Sequence, residues 1–265
     1  MTAEFRSVTT AIDSARADGR GVLVGYLPVG FPDLPTSIDA AVALVENGVD
    51  ALELGLPYSD PVMDGIAIQK ATQAALAAGF RVRDMFTAIE AIRSRVDVPA
   101  LVMTYWNPVV QYGVDRFADA LRDAGGAGLI TPDITPDSAA DWIATSERTG
   151  LDRVFLAAPS STDDRIRQTV DATRGFVYAV STMGTTGARS DVDAAARGVV
   201  SRLRDAGAPN VCVGIGISTG DQVAEVLEYA DGAIVGSALV TALADGGVAG
   251  VARAAAALAR GVRLS

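Results

Sequence analysis

The chain has 265 residues, 49% of them apolar, which is enough for one large α/β domain or two small ones. Its formal net charge of −10 argues against nucleic-acid binding, because proteins that follow a phosphate backbone need basic surfaces. With no histidine and a single cysteine, Cys212, the sequence excludes a Ser-His-Asp or Cys-His catalytic system, an internal disulfide, and a zinc site built from His or Cys.

The proton chemistry open to the chain is narrow. Lys70 is the only lysine, so a Schiff base would have to form there. The other basic residues are arginines, which stay protonated and transfer protons poorly. General acid and base catalysis near neutral pH therefore falls to carboxylates or to tyrosine.

Nothing along the chain suggests secretion or a membrane. Residues 1–20 are polar and mixed in charge, without the apolar run of a signal peptide. No stretch of about 18 apolar residues free of charge occurs, so no membrane span is expected. We expect a cytoplasmic protein, which the single cysteine also favours.

Short apolar runs alternate with longer stretches of helical spacing along the whole chain. The runs predict eight strands, at residues 22–27, 49–55, 99–103, 128–131, 153–157, 175–180, 210–215 and 231–235. The stretches predict helices at residues 34–47, 83–95, 114–124, 136–149, 162–173, 194–206, 219–228 and 248–260. Eight such units predict a single-domain TIM-type (β/α)8 barrel over residues 1–265, with a doubly wound open sheet as the alternative.

The spacing between predicted strands is uneven at two places. Extra length follows the second strand and the sixth, where the loops of a barrel's catalytic face lie. Both segments hold unusual polar residues, which favours lids over simple insertions. The sixth loop, residues 181–190, is rich in Gly and Thr and could close over a phosphorylated substrate.

Glu53 is the strongest candidate for proton chemistry. Because side chains alternate along a strand, Leu52 and Leu54 should face the helices, while Ala51, Glu53 and Gly55 should face the barrel interior. Burial raises the pKa of a carboxyl, which suits proton transfer near neutrality. The alternative is a structural carboxylate tied to an arginine or to backbone amides.

Two aspartates follow Glu53 in the loop at residues 56–65. A loop rich in Asp, Pro and Gly is usually only turn chemistry, so a structural role for Asp60 or Asp64 taken alone stays open. The same loop should expose Pro57, Tyr58, Ser59 and Asp60 beside Asp64, which makes it a candidate docking surface for a partner.

Two glycine-bearing corners follow the seventh and eighth strands. Gly214 and Gly216 mark the first corner, and Gly236 with Ser237 marks the second. In such barrels these loops usually bind phosphate through backbone N–H groups and a helix N-terminus. Tight strand-to-helix turns without a ligand are the alternative.

Two further positions are less specific. Tyr105 and Trp106 follow the third strand, where an aromatic side chain either lines an apolar pocket or simply packs. Cys212 lies in an apolar run and is expected to be part of the core.

The run at residues 52–61, followed by Asp64-Gly65 and Ile68-Gln69, resembles the signature of the tryptophan synthase alpha subunit family. Supporting motifs extend over nearly the whole chain: Gly30-Phe31-Pro32-Asp33, Tyr105-Trp106-Asn107-Pro108, Pro132-Asp133, Gly184-Thr185-Thr186-Gly187, Gly214-Ile215-Gly216-Ile217-Ser218 and Gly236-Ser237. One departure is Thr182, which stands where many members carry Arg, so lid closure is expected to use different contacts.

The resemblance implies a lyase of tryptophan biosynthesis that cleaves indole-3-glycerol phosphate, by a retro-aldol reaction, to indole and glyceraldehyde 3-phosphate. It implies that Glu53 is the proton shuttle and that Asp64 hydrogen-bonds the indole N–H. The implied substrate contacts are Tyr26, Tyr105, Tyr178 and Thr186. The implied phosphate-binding residues are Gly187, Gly216, Gly236 and Ser237.

The resemblance also implies no metal and no cofactor in this chain. Its implied partner is a pyridoxal-phosphate beta subunit that consumes indole, in an alpha2-beta2 heterotetramer. A retro-aldol step normally uses a Schiff-base lysine or zinc, but cleavage driven by protonation of indole needs neither. Two other classes stay open at this point: a different phosphate-binding barrel, such as an isomerase or a flavin enzyme, and a non-catalytic subunit that regulates another enzyme.

Overall fold

The strand order of the sheet shows how the chain closes on itself. In a computed structural model, which describes residues 6–180, 189–214 and 216–262, all strand pairs are parallel and the order is β5-β4-β3-β2-β1-β9-β8-β7-β6. The strands are β1 Val22–Pro28, β2 Ala51–Gly55, β3 Ala100–Met103, β4 Gly128–Ile130, β5 Asp152–Val154, β6 Leu156–Ala157, β7 Val177–Val180, β8 Val211–Gly214 and β9 Gly232–Val235.

The two ends of that order are halves of one strand. Only Phe155 separates β5 from β6, and its carbonyl accepts the N–H of Tyr178 at 3.0 Å. On the other side of the same strand, Val154 pairs with Ile130 of β4. The sheet is therefore an eight-stranded closed barrel, which confirms the predicted (β/α)8 fold, and the doubly wound alternative is wrong.

One helix precedes the first strand, and the others follow the strands and cover the outside of the barrel. They are α1 Val8–Ala17, α2 Leu34–Glu46, α3 Ile66–Ala77, α4 Val82–Arg93, α5 Trp106–Tyr112, α6 Val114–Asp123, α7 Ala140–Thr149, α8 Asp163–Ala172, α9 Arg189–Asp205, α10 Gly220–Leu227 and α11 Ser237–Ala259. Each predicted helix is present, although α9 begins five residues earlier than the sequence pattern indicated and α11 eleven residues earlier.

Three helices were not among the predicted bounds: α1, α3 and α5. Most of the extra length after β2 is α3, and the loop between them is only residues 56–65. The short helix α5 continues from the end of β3 into α6. Helix α1 was missed because its apolar positions, Val8, Ile12 and Ala15, are separated by charged and hydroxyl side chains.

Helix α1 closes the N-terminal end of the barrel. Its three buried side chains pack into the interior cluster with residues of the strands, among them Val22, Ala51 and Cys212. Ser7 caps the helix, and its hydroxyl donates to the buried carboxylate of Asp152, with O–O distances of 2.9 and 3.0 Å. The N–H of Val8 donates to the same carboxylate at 2.8 Å. The opposite end of the barrel is the one that carries the candidate site.

One helix among the described residues, Ser237–Val262, is long and apolar enough to cross a membrane by length and composition alone. It carries Asp245 and Arg253, and its backbone leaves the helical conformation at Gly247. Its buried face packs against α2 and β1. These features are those of a helix in the outer layer of the barrel.

The strand register places Glu53 inside the barrel. Ala51 belongs to the interior cluster, whereas Leu52 and Leu54 pack in the cluster between strands and helices. Glu53 alternates with those leucines and stands opposite Tyr26 of β1. This confirms the predicted alternation, and Cys212, in the same interior cluster, is confirmed as core.

Gly55 has to be glycine because Tyr26 lies over it. A Cβ atom at Gly55 would lie 2.3 Å from Oη of Tyr26 and 2.7 Å from its Cζ. We expect Gly55→Ala to lower the free energy of unfolding by about 1 to 3 kcal/mol, because the tyrosine ring must leave its packed position. Urea unfolding measures this change.

The matched control is Gly198→Ala on the exposed face of α9, where a Cβ atom meets nothing within 4 Å. This substitution should stabilise the chain by about 0.5 to 1 kcal/mol, because alanine favours the helical backbone more than glycine does. Equal effects of the two substitutions would contradict the close contact at Gly55.

Candidate active site

Glu53 is a buried carboxyl without an ionic partner. Its exposed fraction is 2%, no arginine pairs with it in the described part of the chain, and its Oε2 atom has no hydrogen-bond partner there. Burial is the main cause that raises the pKa of Glu53 from 4.5 to about 8, and the nearby Asp64 carboxylate adds to it. Among the described residues, no arginine and no amide holds Glu53 as the structural alternative would require.

Asp64 lies at the end of the loop that follows β2, and it is half-buried. Burial raises the pKa of Asp64, while a hydrogen bond from the hydroxyl of Tyr105 lowers it. The two oxygen atoms are 3.5 Å apart. The side-chain amide of Gln69, one turn into α3, donates to the Asp64 carbonyl at 2.8 Å. Asp64 is thus held at a fixed point beside Glu53 and stays the more readily ionised of the two.

Two tyrosines flank Glu53 inside the barrel. Burial raises the pKa of both Tyr26 and Tyr178 well above the usual value, and the Glu53 carboxyl is a further cause in each case. Tyr178 lies over Gly214 as Tyr26 lies over Gly55, with 2.3 Å between its Oη and a Cβ atom built on that glycine. The two hydroxyl groups stay protonated and polar in an otherwise apolar interior.

Tyr105 is almost fully buried at the start of the segment after β3. Its hydroxyl oxygen accepts the N–H groups of Val62 and Met63, each at 2.9 Å. Trp106, the next residue, is half-exposed, and its backbone N–H donates to the carboxylate of Asp133 at 3.0 Å. Sequence patterns did not reveal the contacts of Val62, Met63 or Asp133, because each joins two loops that are far apart along the chain.

The second glycine corner lies close to the tyrosines and to the loop after β2. A Cβ atom at Gly236 would lie 3.5 Å from the ring of Tyr26, and one at Gly65 would lie 3.7 Å from Oγ of Ser237. Gly236 precedes α11 and Ser237 is its first residue, exposed to solvent. Their N–H groups are therefore at a helix N-terminus, where the dipole favours an anion.

In the first glycine corner, Gly214 is covered by Tyr178 but Gly216 is open toward the described residues. Gly216 has a φ of +65°, in the left-handed region that favours glycine, and a Cβ atom there would meet none of the described residues within 4 Å. The next helix, α10, has its own side-chain cap from Thr219. Thr182, Thr186 and Gly187 lie outside the described residues. Among those that are described, no three His, Cys, Asp or Glu side chains form a group that could hold a metal ion.

Residues 12–261 match the model of the family described as tryptophan synthase alpha chain. The chain belongs to this family. A relative from Leifsonia xyli is 72% identical over 254 residues, which cover 96% of this chain and 97% of the relative. A relative from Mycobacterium tuberculosis is 57% identical over 234 residues, covering 88% and 86%.

Solved structures of tryptophan synthase share the fold. A crystal structure from M. tuberculosis, in an open form, has a TM-score of 0.91 and 51% identity, and covers 98% of this chain and 100% of its own. A tryptophan synthase complex from Pyrococcus furiosus has a TM-score of 0.82 and 32% identity, covering 91% and 98%. The tryptophan synthase alpha chain match includes each candidate residue named above, and it confirms the family that the sequence motifs suggested.

The raised pKa of Glu53 predicts how stability depends on pH. Between its unfolded pKa of 4.5 and its folded pKa of about 8, the unfolded chain releases a proton that the folded chain keeps. The wild type should therefore lose stability relative to Glu53→Gln as the pH rises from 4.5 to 8, and the difference should level off above that. We expect a total change of about 2 to 4 kcal/mol.

Urea unfolding of both proteins at pH 5 and pH 9 measures this difference. Groups that do not interact with Glu53 titrate equally in the two proteins, so their contributions cancel. A stability difference that is the same at both pH values would contradict the raised pKa.

Proposed function

We propose that this chain cleaves indole-3-glycerol phosphate to indole and glyceraldehyde 3-phosphate, with Glu53 as the group that moves the proton. The observation that carries the proposal is a buried carboxyl with a pKa of about 8, on the strand that leads into the loop of Asp64, with one oxygen atom that has no hydrogen-bond partner among the described residues. The family supports the reaction, and the site supplies an acid that is mostly protonated at neutral pH.

The reaction needs one proton to be added and another to be removed. Glu53, protonated, gives its proton to C3 of the indole ring, which makes the ring an electron acceptor. The carboxylate then takes the proton of the hydroxyl on the attached carbon, and the O–H electron pair becomes the carbonyl of the aldehyde. The carbon–carbon bond breaks, its electrons restore the indole ring, and Glu53 is again protonated. The step consumes no cofactor and no net proton.

Asp64 has the complementary role in this proposal. Protonation at C3 places positive charge on the indole nitrogen, and an ionised carboxylate that accepts the N–H stabilises that charge. Asp64 suits this because it is only half-buried, and although burial raises its pKa, the hydrogen bond from Tyr105 opposes that rise and favours the ionised form. Asp64 therefore needs to be ionised while Glu53 is protonated.

The remaining contacts hold the substrate. We propose that Tyr26, Tyr105 and Tyr178 line the space for the indole ring, together with Thr186. The phosphate would bind to the N–H groups of Gly216, Gly236 and Ser237, together with Gly187. The α11 N-terminus favours the anion, and the open space at Gly216 leaves the backbone accessible.

The chain's assembly and location extend the proposal. We propose a pyridoxal-phosphate beta subunit as partner, in an alpha2-beta2 heterotetramer, since indole is small and apolar and would otherwise escape. The loop after β2 exposes Val62 at 81% and Ile66, the first residue of α3, at 73%. The expected exposure of Pro57 is wrong, because that residue is buried, and Tyr58 is half-buried; Ser59 and Asp60 are exposed as expected. A cytoplasmic location fits the lone buried Cys212.

The loss of the proton shuttle tests the assignment of Glu53. Glu53→Gln should lower the rate of indole release from indole-3-glycerol phosphate by about 10² to 10⁴-fold, because the amide can neither donate nor accept the proton. Substrate affinity should change much less. Glu90→Gln, an identical change on the exposed face of α4, is the control and should keep the wild-type rate. Turnover of Glu53→Gln within tenfold of the wild type would refute the assignment.

Titration with the cognate beta subunit tests the partner. If binding of the beta subunit stabilises the ordered loop by about 2 to 3 kcal/mol, the rate of indole production should rise roughly 30- to 150-fold. Asp60→Ala should weaken this activation more than it weakens the basal rate, whereas Asp123→Ala on α6 should leave both unchanged. No complex at micromolar concentration, or a complex without a rate increase, would disprove the partnership.

A further inference from the structure

Two consecutive N–H groups of the loop after β2 converge on a single phenol oxygen. Val62 and Met63 each donate to the hydroxyl of Tyr105, with N–O distances of 2.9 Å. These residues immediately precede Asp64 and are separated from Tyr105 by about 40 positions of the chain. The contact therefore fixes the backbone that carries Asp64 to a different loop of the barrel.

The hydrogen-bond capacity of the phenol directs its proton. A tyrosine hydroxyl has one O–H donor, and its oxygen accepts hydrogen bonds. With two N–H groups already donating to the Tyr105 oxygen, the O–H is directed elsewhere. Its neighbour in that direction is Oδ1 of Asp64 at 3.5 Å. One hydroxyl thus contacts both the backbone of the loop and its carboxylate.

The anchor itself stands on a rigid part of the barrel. The N–H of Thr104, the residue before Tyr105, donates to the carbonyl of Ile130 at 3.1 Å, and the Thr104 hydroxyl donates to the Tyr105 carbonyl at 2.9 Å. The ring of Tyr105 packs against that of Tyr58, with 5.3 Å between the ring centroids. The hydroxyl therefore has a fixed position just after β3. The loop after β2 becomes ordered when its amides bind there.

We infer that Tyr105 is a positioning residue for the cleavage reaction: its hydroxyl holds the Val62–Met63 backbone and orients the ionised Asp64 carboxylate toward the indole nitrogen. This role rests on the proposed function and is separate from the contact of the Tyr105 ring with the substrate. In this role, the hydrogen bonds from the loop amides to the Tyr105 hydroxyl determine where Asp64 lies, and the bulk of the ring does not.

Tyr105→Phe removes the hydroxyl and keeps the ring. The amides of Val62 and Met63 should exchange their hydrogens at least about tenfold faster, because both lose their acceptor. The kcat for indole release should fall by about 10- to 100-fold, while KM changes by less than about threefold, because the phosphate contacts remain. The acid limb of the pH profile of kcat/KM should move to higher pH, since the hydrogen bond that favours ionised Asp64 is lost.

Tyr112→Phe on α5 is the matched control. The Tyr112 ring packs at a tilt against Phe86 and edge-on against Phe117, and its substitution should leave amide exchange at 62–63, kcat and the acid limb unchanged. Hydrogen exchange is read without substrate, so it tests the anchor even if the wild-type chain does not cleave indole-3-glycerol phosphate. A wild-type chain that does not cleave indole-3-glycerol phosphate would refute the proposed function alone.

Three results would overturn the inference. The first is unchanged amide exchange at Val62 and Met63 in Tyr105→Phe. The second is faster exchange with an unshifted acid limb and a wild-type kcat. The third is a Tyr105→Phe chain that fails to fold, because the inference assigns the hydroxyl to the loop and not to the core.

Discussion

The burial of one carboxyl group, with no counter-charge beside it in the described part of the chain, is the constraint on which the site depends. A carboxylate moved into an apolar interior is costly, so the group lowers that cost by keeping its proton. An arginine beside Glu53 would hold it ionised and remove it as an acid at neutral pH. The barrel avoids this by surrounding Glu53 with tyrosine rings and small residues, of which Tyr26 over Gly55 is the clearest case. In a chain with no histidine, this environment supplies an acid near neutrality.

In the proposed reaction the second carboxyl group, Asp64, is ionised because its surroundings differ from those of Glu53. Asp64 is on a loop at the open end of the barrel, half in solvent, and it has a hydroxyl donor. When two carboxyl groups lie close together, one tends to be ionised while the other stays protonated, and the more buried one, Glu53, keeps the proton. One strand and the ten residues after it therefore hold both carboxyl groups, and in the proposed reaction the loop must be ordered for the pair to act together.

Sequence patterns predicted the parts of the molecule that follow local periodicity. The alternation of Leu52, Glu53 and Leu54 was sufficient to point the carboxyl inward, and the apolar runs located the strands to within two or three residues. Family motifs were needed to single out Asp64, since an aspartate in a turn-rich loop carries no signal of its own. The two hydrogen bonds that backbone N–H groups donate to Tyr105 could not be predicted, because they join residues about 40 positions apart. Helix α1 was missed because three apolar residues among charges give a weak pattern.

Helix α1 has a consequence for the traffic of molecules through the barrel. Its side chains Val8, Ile12 and Ala15 fill the N-terminal end, and Ser7 fastens it to Asp152. In the described part of the chain, these side chains therefore close one end of the barrel, and the candidate site lies at the opposite end. In the proposed reaction, substrate would enter and both products would leave past the rim that carries Asp64 and Ser237. A neighbouring protein that collected the aromatic product would have to cover that rim, and while it did so the sugar phosphate would have to wait or leave by a side gap.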